Sequence, residues 1–220
     1  MSDPEAPRRR DADLEIIDNT TQGPSPRNDA LGVNLLGEAC CQSTEEMDGS
    51  GRGFAVEATF LDTDNKFALP VVALEEIETH FPPHTYAAHV AITNTQLNQV
   101  RERLCEALRG KGYRLANYIS PQAFVWRTAT LGDNVFIFEN NVVQHGVTIE
   151  DGVVLWSGNH IGHQSVVGEY VFLTSHVAVS GYCRIGRRSF VGVNSTFADH
   201  VEIGADSYVA MSSSVNKSYK

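Results

Sequence analysis

The sequence predicts a mainly β protein, in which a parallel β-solenoid over residues 119–220 follows a small α/β unit. Three observations carry this. Every sixth residue from Ile119 to Val215 is aliphatic or Phe, seventeen in succession without a slip. Four places further on runs a second column, Ala123 to Ser213, of small or β-branched residues with Asn141 and Asn159 among them. Ahead of both, residues 54–118 alternate strand-like and helix-like patterns.

Residues 1–53 hold eleven acidic and five basic residues and are rich in Ser, Asp, Gly and Pro, so most of the stretch is expected to be poorly ordered. The exception is Ala30 to Cys41, apolar enough for one short docked element. Residues 54–118 are expected to form a small α/β domain. Phe54 to Leu61 reads as a strand and Asp62 to Asn65 as a turn. Leu74 to Phe81 reads as a short helix that Pro82 and Pro83 must stop. Tyr86 to Ile92 is a second strand. Leu97, Val100, Leu104 and Leu108 then share one face of a helix, with Gly110 where a C-terminal cap belongs. Such an alternation suggests a parallel sheet.

In residues 119–220 a period of six, with two inward residues, is a short strand and a tight corner. Three such faces close a triangular coil of eighteen residues. Seventeen hexads make about 5.7 coils and a prism roughly 27 Å tall. Glycine recurs just after the aliphatic place, at Gly132, Gly162, Gly168, Gly186, Gly192 and Gly204. Asn141 and Asn159 are one coil apart and are expected to stack as an amide ladder.

Composition narrows the function. Seventeen basic and 27 acidic residues leave a net charge of −10, which argues against a nucleic-acid backbone binder. No apolar run is long enough for a membrane span. Arg8 to Arg10 are followed by Asp11, Ala12 and Asp13 where an export signal needs its apolar region. Cys40, Cys41, Cys105 and Cys183 show no C-x-x-C spacing, which fits a reducing cytoplasm.

Spacing also brings chemistry together. His163 sits two places after Ile161, at a corner, so its side chain points outward. Arg127, His145, Gly181 and Asp199 fall in the same column at intervals of eighteen. Gly181, without a side chain, leaves its backbone N–H approachable. Trp126 and Trp156 follow inward positions and are expected to face outward, where exposure of both would suggest a subunit contact.

The repeat resembles the left-handed β-helix of the hexapeptide-repeat acyltransferases over the whole of 119–220. Within that group the segments Phe60 to Asn94, Gly110 to Val125 and Ser157 to Gly186 look like those of the sialic-acid-synthesis and bacillosamine-type nucleotide-sugar acetyltransferases. The last segment is also similar to the acyl-carrier-dependent UDP-N-acetylglucosamine acyltransferases. The resemblance implies an acetyl-CoA-dependent transfer to an amino or hydroxyl group of a nucleotide-linked sugar, for surface polysaccharide or glycan synthesis. It implies His163 as the general base and a cytoplasmic homotrimer with its sites between neighbouring β-helices. It makes Gly181 the amide facing the thioester carbonyl. Asp62 and Asn94 occupy places where the family contacts its nucleotide sugar.

Gln164 follows His163 where the family commonly has an acidic residue, and its amide can orient an imidazole without adding charge. His145 and His160 are candidates for substrate contact. Arg184, Arg187 and Arg188 cluster, and Arg187 and Arg188 are candidates for the phosphates of coenzyme A, with Lys217 and Lys220 near the top of the prism. No metal is expected. Thr93 replaces a family glycine, and residues 1–53 lack the glycine-rich turn after the family's first strand. Two other readings stand beside this one. A γ-type carbonic anhydrase would need three histidines on one zinc, but His160 and His163 are only three apart where that family's pair is five apart. The other is a β-helix that has lost catalysis and serves a structural role.

Overall fold

The computed structural model describes residues 29–34 and 73–219. The expected strand and turn over 54–65, including Asp62, lie outside the described residues, as do Cys40, Cys41 and Lys220. The chain runs β1 (Asp29–Asn34), α1 (Ile77–His80), β2 (Tyr86–Ala91), α2 (Gln99–Gly110) and β3 (Arg114–Leu115). Seventeen two-residue strands follow, from β4 (Tyr118–Ile119) to β20 (Ser214–Val215), one for each hexad.

The first five elements build a small parallel sheet in the order β1-β2-β3 with α2 packed on it. β1 overlaps the start of the apolar stretch Ala30 to Cys41, whose residues after Asn34 lie outside the described ones, and pairs in register with β2, Asp29 against Tyr86. Helix α1 is shorter than its apolar pattern suggests. Ala73 to Glu76 turn instead of coiling, with Glu76 N–H donating to Ala73 O at 2.9 Å. Gly110 is the last residue of α2 and not its cap. The left-handed residue that ends this helix is Gly112, with φ +88°. The Val100–Leu104–Leu108 face, joined by Cys105, packs on Ile77, Ala88, Val90 and Leu115.

The solenoid pairs each strand with the one eighteen residues away, as Phe136, Val154 and Phe172 show. Three parallel sheets result, two of six strands and one of five. Their inward column, from Ile137 to Val215, forms one continuous core. We call the three edges of the prism by their residues in one coil. The His163 edge spans 162–165, the Arg187 edge 186–189 and the Ser175 edge 174–177.

Asn141 and Asn159 are fully buried, but they do not bond side chain to side chain. Asn159 N–H donates to Asn141 Oδ1 at 3.2 Å, and Val177 N–H to Asn159 Oδ1 at 2.7 Å. Each amide thereby stitches one corner's backbone to the next. Glycine after the aliphatic place has a steric reason. A Cβ at Gly162 would lie 2.5 Å from the Ser180 carbonyl carbon of the coil above.

A third column was not visible in the sequence. Every sixth residue from Asn134 to Ser212 has a positive φ, between +54° and +77°, and only Gly146, Gly152 and Gly158 of these are glycine. A positive φ at the third residue is what a type II turn requires. From Asn140 on, the strain at the other positions is offset because each such N–H bonds the coil below, as Tyr182 N–H does to His163 O at 2.9 Å. Asn and Gly at the first five places were the only compositional hint.

The N-terminal unit packs on the outward side of the sheet holding Tyr118, Phe136, Val154 and Phe172, the face opposite the His163 edge. Trp156 belongs to this aromatic layer, 5.0 Å from Phe138, and is not a free outward ring. Trp126 is 44% exposed. Arg101 is wholly buried in the seam. Its five N–H groups donate to the carbonyls of Gly152, Ile92, Thr93, Tyr170 and Val171 at 2.8–3.4 Å. Its guanidinium lies 5.7 Å from the centre of the Phe172 ring.

His89 lies in the same seam, 6% exposed. Its Nδ1–H donates to Ala116 O at 2.8 Å, and its Nε2 is buried without a partner. Burial pulls its pKa from 6.5 down to about 4, against the opposing effect of the Ala116 bond. Between those values the unfolded chain holds a proton that the folded chain refuses. Stability is therefore complete above pH 6.5, falls as the pH drops through that window, and levels off below pH 4. The expected loss is about 3 kcal/mol. Urea unfolding at the two ends of the window checks it, and His89→Gln should flatten this part of the profile.

Candidate functional site

The His163 edge carries a continuous column of rings. His145 and His163 project from successive coils and lie parallel, with centroids 5.3 Å apart and 10° between planes. Tyr182, one coil above, meets His163 perpendicularly at 5.1 Å and 88°. Tyr182 in turn lies parallel to His200 at 4.9 Å. Below, Trp126 stands 6.2 Å from His145, and Phe124 stands 5.7 Å from Trp126. His163 is half-buried and His145 exposed, so a solute can reach both.

Gly181 has a different role from the one expected. Its N–H is not approachable, because it donates to Asp199 Oδ1 at 2.8 Å. What Gly181 supplies is space. A Cβ there would lie 2.6 Å from His163 Cε1, inside the volume of the ring. Gln164 also departs from expectation. It occupies a left-handed turn position, φ +59°, and its side-chain amide lies across Gly146 in the coil below. Among the described residues no hydrogen bond joins it to the His163 ring. The glutamine that does hold His163 is Gln144, whose Oε1 accepts the His163 backbone N–H at 2.9 Å. Spacing alone could not separate the two, because the turn decides which side chain points along the prism.

The expected coenzyme A arginines are placed elsewhere. Arg187 and Arg188 lie on the next edge and both pair with Glu102 of α2, while Arg188 also pairs with Asp206 at 2.6 Å. Both are committed to fastening the helix to the solenoid. Their partner lies 85 and 86 residues earlier, which no local pattern discloses. Arg184 is exposed on the sheet adjoining the His163 edge and makes no ion pair among the described residues. Lys217 stands 5.4 Å over the Tyr219 ring.

His160 is exposed on the other sheet that meets the His163 edge, between Val142 and Ala178. Asn94 is not brought to this edge. It lies three residues beyond the end of β2 and its carbonyl accepts the Asn98 N–H at 3.3 Å, ahead of a turn in which Gln96, Leu97 and Asn98 all have positive φ. That turn docks through Asn98 Nδ2 on Arg188 O at 2.9 Å, on the Arg187 edge. Among the described residues no group of three His, Cys, Asp or Glu side chains stands ready for one metal ion. Nor is any described helix long and apolar enough to cross a membrane.

The family model for bacterial transferase hexapeptide, six repeats, matches residues 128–163. Residues 128–163 are therefore bacterial transferase hexapeptide repeats. The solenoid and N-terminal unit together are similar to PerB from Caulobacter crescentus, solved in complex with CoA and GDP-perosamine. That match has 25% identity and a TM-score of 0.66, and covers 74% of this chain and 77% of that one. A second structure of the perosamine N-acetyltransferase, in which a histidine is replaced by asparagine, matches at 26% identity and TM-score 0.64, over 69% and 71% of the two chains. The acetyltransferase domain of PglB from Neisseria gonorrhoeae shares the fold at 23% identity, TM-score 0.65, over 70% and 74%. No curated protein matches by sequence.

Proposed function

We propose that the chain is an acetyl-CoA-dependent acetyltransferase acting on an amino or hydroxyl group of a nucleotide-linked sugar, with His163 as general base. The observation that carries it is a solvent-reachable imidazole on a hexapeptide-repeat edge, with room made for it by Gly181. PerB, with 25% identity, was solved with CoA and GDP-perosamine together, and these ligands supply the substrate classes.

In this reading the acceptor nitrogen or oxygen attacks the thioester carbonyl while its proton passes to His163. The carbon–sulfur bond then breaks. The coenzyme A thiolate leaves with the proton that His163 returns, and the acetyl group stays on the sugar. Of the arginines first considered for coenzyme A, Arg184 remains to meet its phosphates. The N-terminal unit of a chain sits on the face opposite its own His163. A sugar held by that unit is therefore served by a neighbouring subunit's imidazole, which supports a homotrimer. The product belongs to surface polysaccharide or glycan synthesis in the cytoplasm, where the buried thiols Cys105 and Cys183 stay reduced.

The test is release of free coenzyme A thiol from acetyl-CoA in the presence of a panel of nucleotide amino sugars and their hydroxyl counterparts. Turnover with one class of acceptor is the expected result. A chain that neither turns over any of them nor gains thermal stability with acetyl-CoA is a structural β-helix, and the proposal fails.

A further inference from the structure

A general base needs its ring plane fixed as well as its basicity. Gln164, the neighbour in sequence that resembles an orienting residue, is turned away over Gly146. Gln144 fixes the His163 backbone and leaves the side-chain torsions free. Ring contacts remain. His145 lies parallel to the imidazole, and a parallel neighbour allows it to slide and rotate in its own plane. Tyr182 meets it at 88°, and a perpendicular neighbour blocks that movement.

We propose that Tyr182 is a positioning residue for His163, setting the plane of the imidazole that accepts the proton. The proposal rests on the acetyl-transfer reading. Tyr182 shares its column with Tyr170, whose ring is buried against the N-terminal unit, but has no such burial of its own. It has a left-handed φ of +57°, where Asn or Gly sits more easily, and its side chain is 51% exposed. Neither turn geometry nor burial accounts for an aromatic residue there, whereas the ring contact does. His200 stacks flat on the far side of Tyr182, at 4.9 Å and 0°, and so acts on His163 only through Tyr182.

The experiment uses the full chain with Tyr182→Asn, Tyr182→Phe and His200→Ala. Asn tolerates the left-handed turn, so the fold persists while the ring is lost. Tyr182→Asn is expected to lower kcat by about tenfold with KM for acetyl-CoA unchanged, the signature of misplacement. Tyr182→Phe, which keeps the ring, restores kcat to within about twofold. His200→Ala gives a smaller loss that vanishes in the Tyr182→Asn background.

A second readout needs no turnover. The Cε1–H proton resonance of the His163 imidazole moves in Tyr182→Asn and returns in Tyr182→Phe, because it senses the aromatic ring current. Full kcat in Tyr182→Asn, or an unmoved resonance, overturns the proposal. A moved resonance in a chain that transfers no acetyl group would instead overturn the functional reading while the ring contact stands.

Discussion

His163→Ala should lower the kcat of the proposed acetyl transfer on the order of 10²–10⁴-fold. The substitution removes the imidazole that stands between His145 and Tyr182 and is reachable from solvent. It leaves the core untouched, because the ring lies outside the aliphatic column and the turn that carries it is held by backbone bonds. The Gln144 bond to the backbone N–H survives as well. Far-UV circular dichroism and the melting temperature should therefore match the parent, and acetyl-CoA should still raise the latter. Thiol release with the preferred acceptor measures the loss. A variant with parental turnover would remove His163 from the chemistry.

The second large effect is on stability. Arg101→Met should destabilise the protein by about 3–5 kcal/mol. Burial lowers the pKa of this guanidinium to about 10, so it is charged at neutral pH, and among the described residues no carboxylate pairs with it. Five carbonyl groups share the charge, two from the N-terminal unit and three from the solenoid. Methionine fills most of the volume but leaves those oxygens unpaired in a seam closed to water. Arg101→Lys should also be harmful, because an ammonium has three donors and lacks the planar fork. Denaturant unfolding followed by two probes, tryptophan fluorescence for the solenoid, which holds both Trp126 and Trp156, and amide exchange in α2 for the N-terminal unit, would show the transitions separating. Coincident, unshifted transitions would contradict the role given to Arg101.

The solenoid was legible because its signal is one-dimensional. A hexad column needs no knowledge of what lies across the molecule, and Ile119 to Val215 declare it directly. The same arithmetic placed His145 beside His163, since residues eighteen apart are neighbours by construction. It failed where a partner came from another element. Arg187 and Arg188 looked like free cations because Glu102 belongs to a different part of the chain. Arg101 carries no signal of its own in the sequence, and its burial follows from a face of the prism that the helix covers. Gly181 and Gln164 failed at finer scale. Their positions on the edge were right, but hydrogen bonding to Asp199 and a left-handed turn fixed the directions of an N–H and an amide.

The eighteen-residue register has a consequence for how such a chain can change length. Each rung touches only the one beneath and the one above, so removing or duplicating a complete turn transposes the upper part without rotating it. Loss of a single amino acid would swing every later side chain to the wrong surface. Below Ser189, where the anchoring arginine and asparagines grip the stack, even a complete turn is not expendable. Above His200, the last ring of the working edge, growth or shortening by whole storeys is free of that constraint, and the height of the tower can drift while that edge keeps its place.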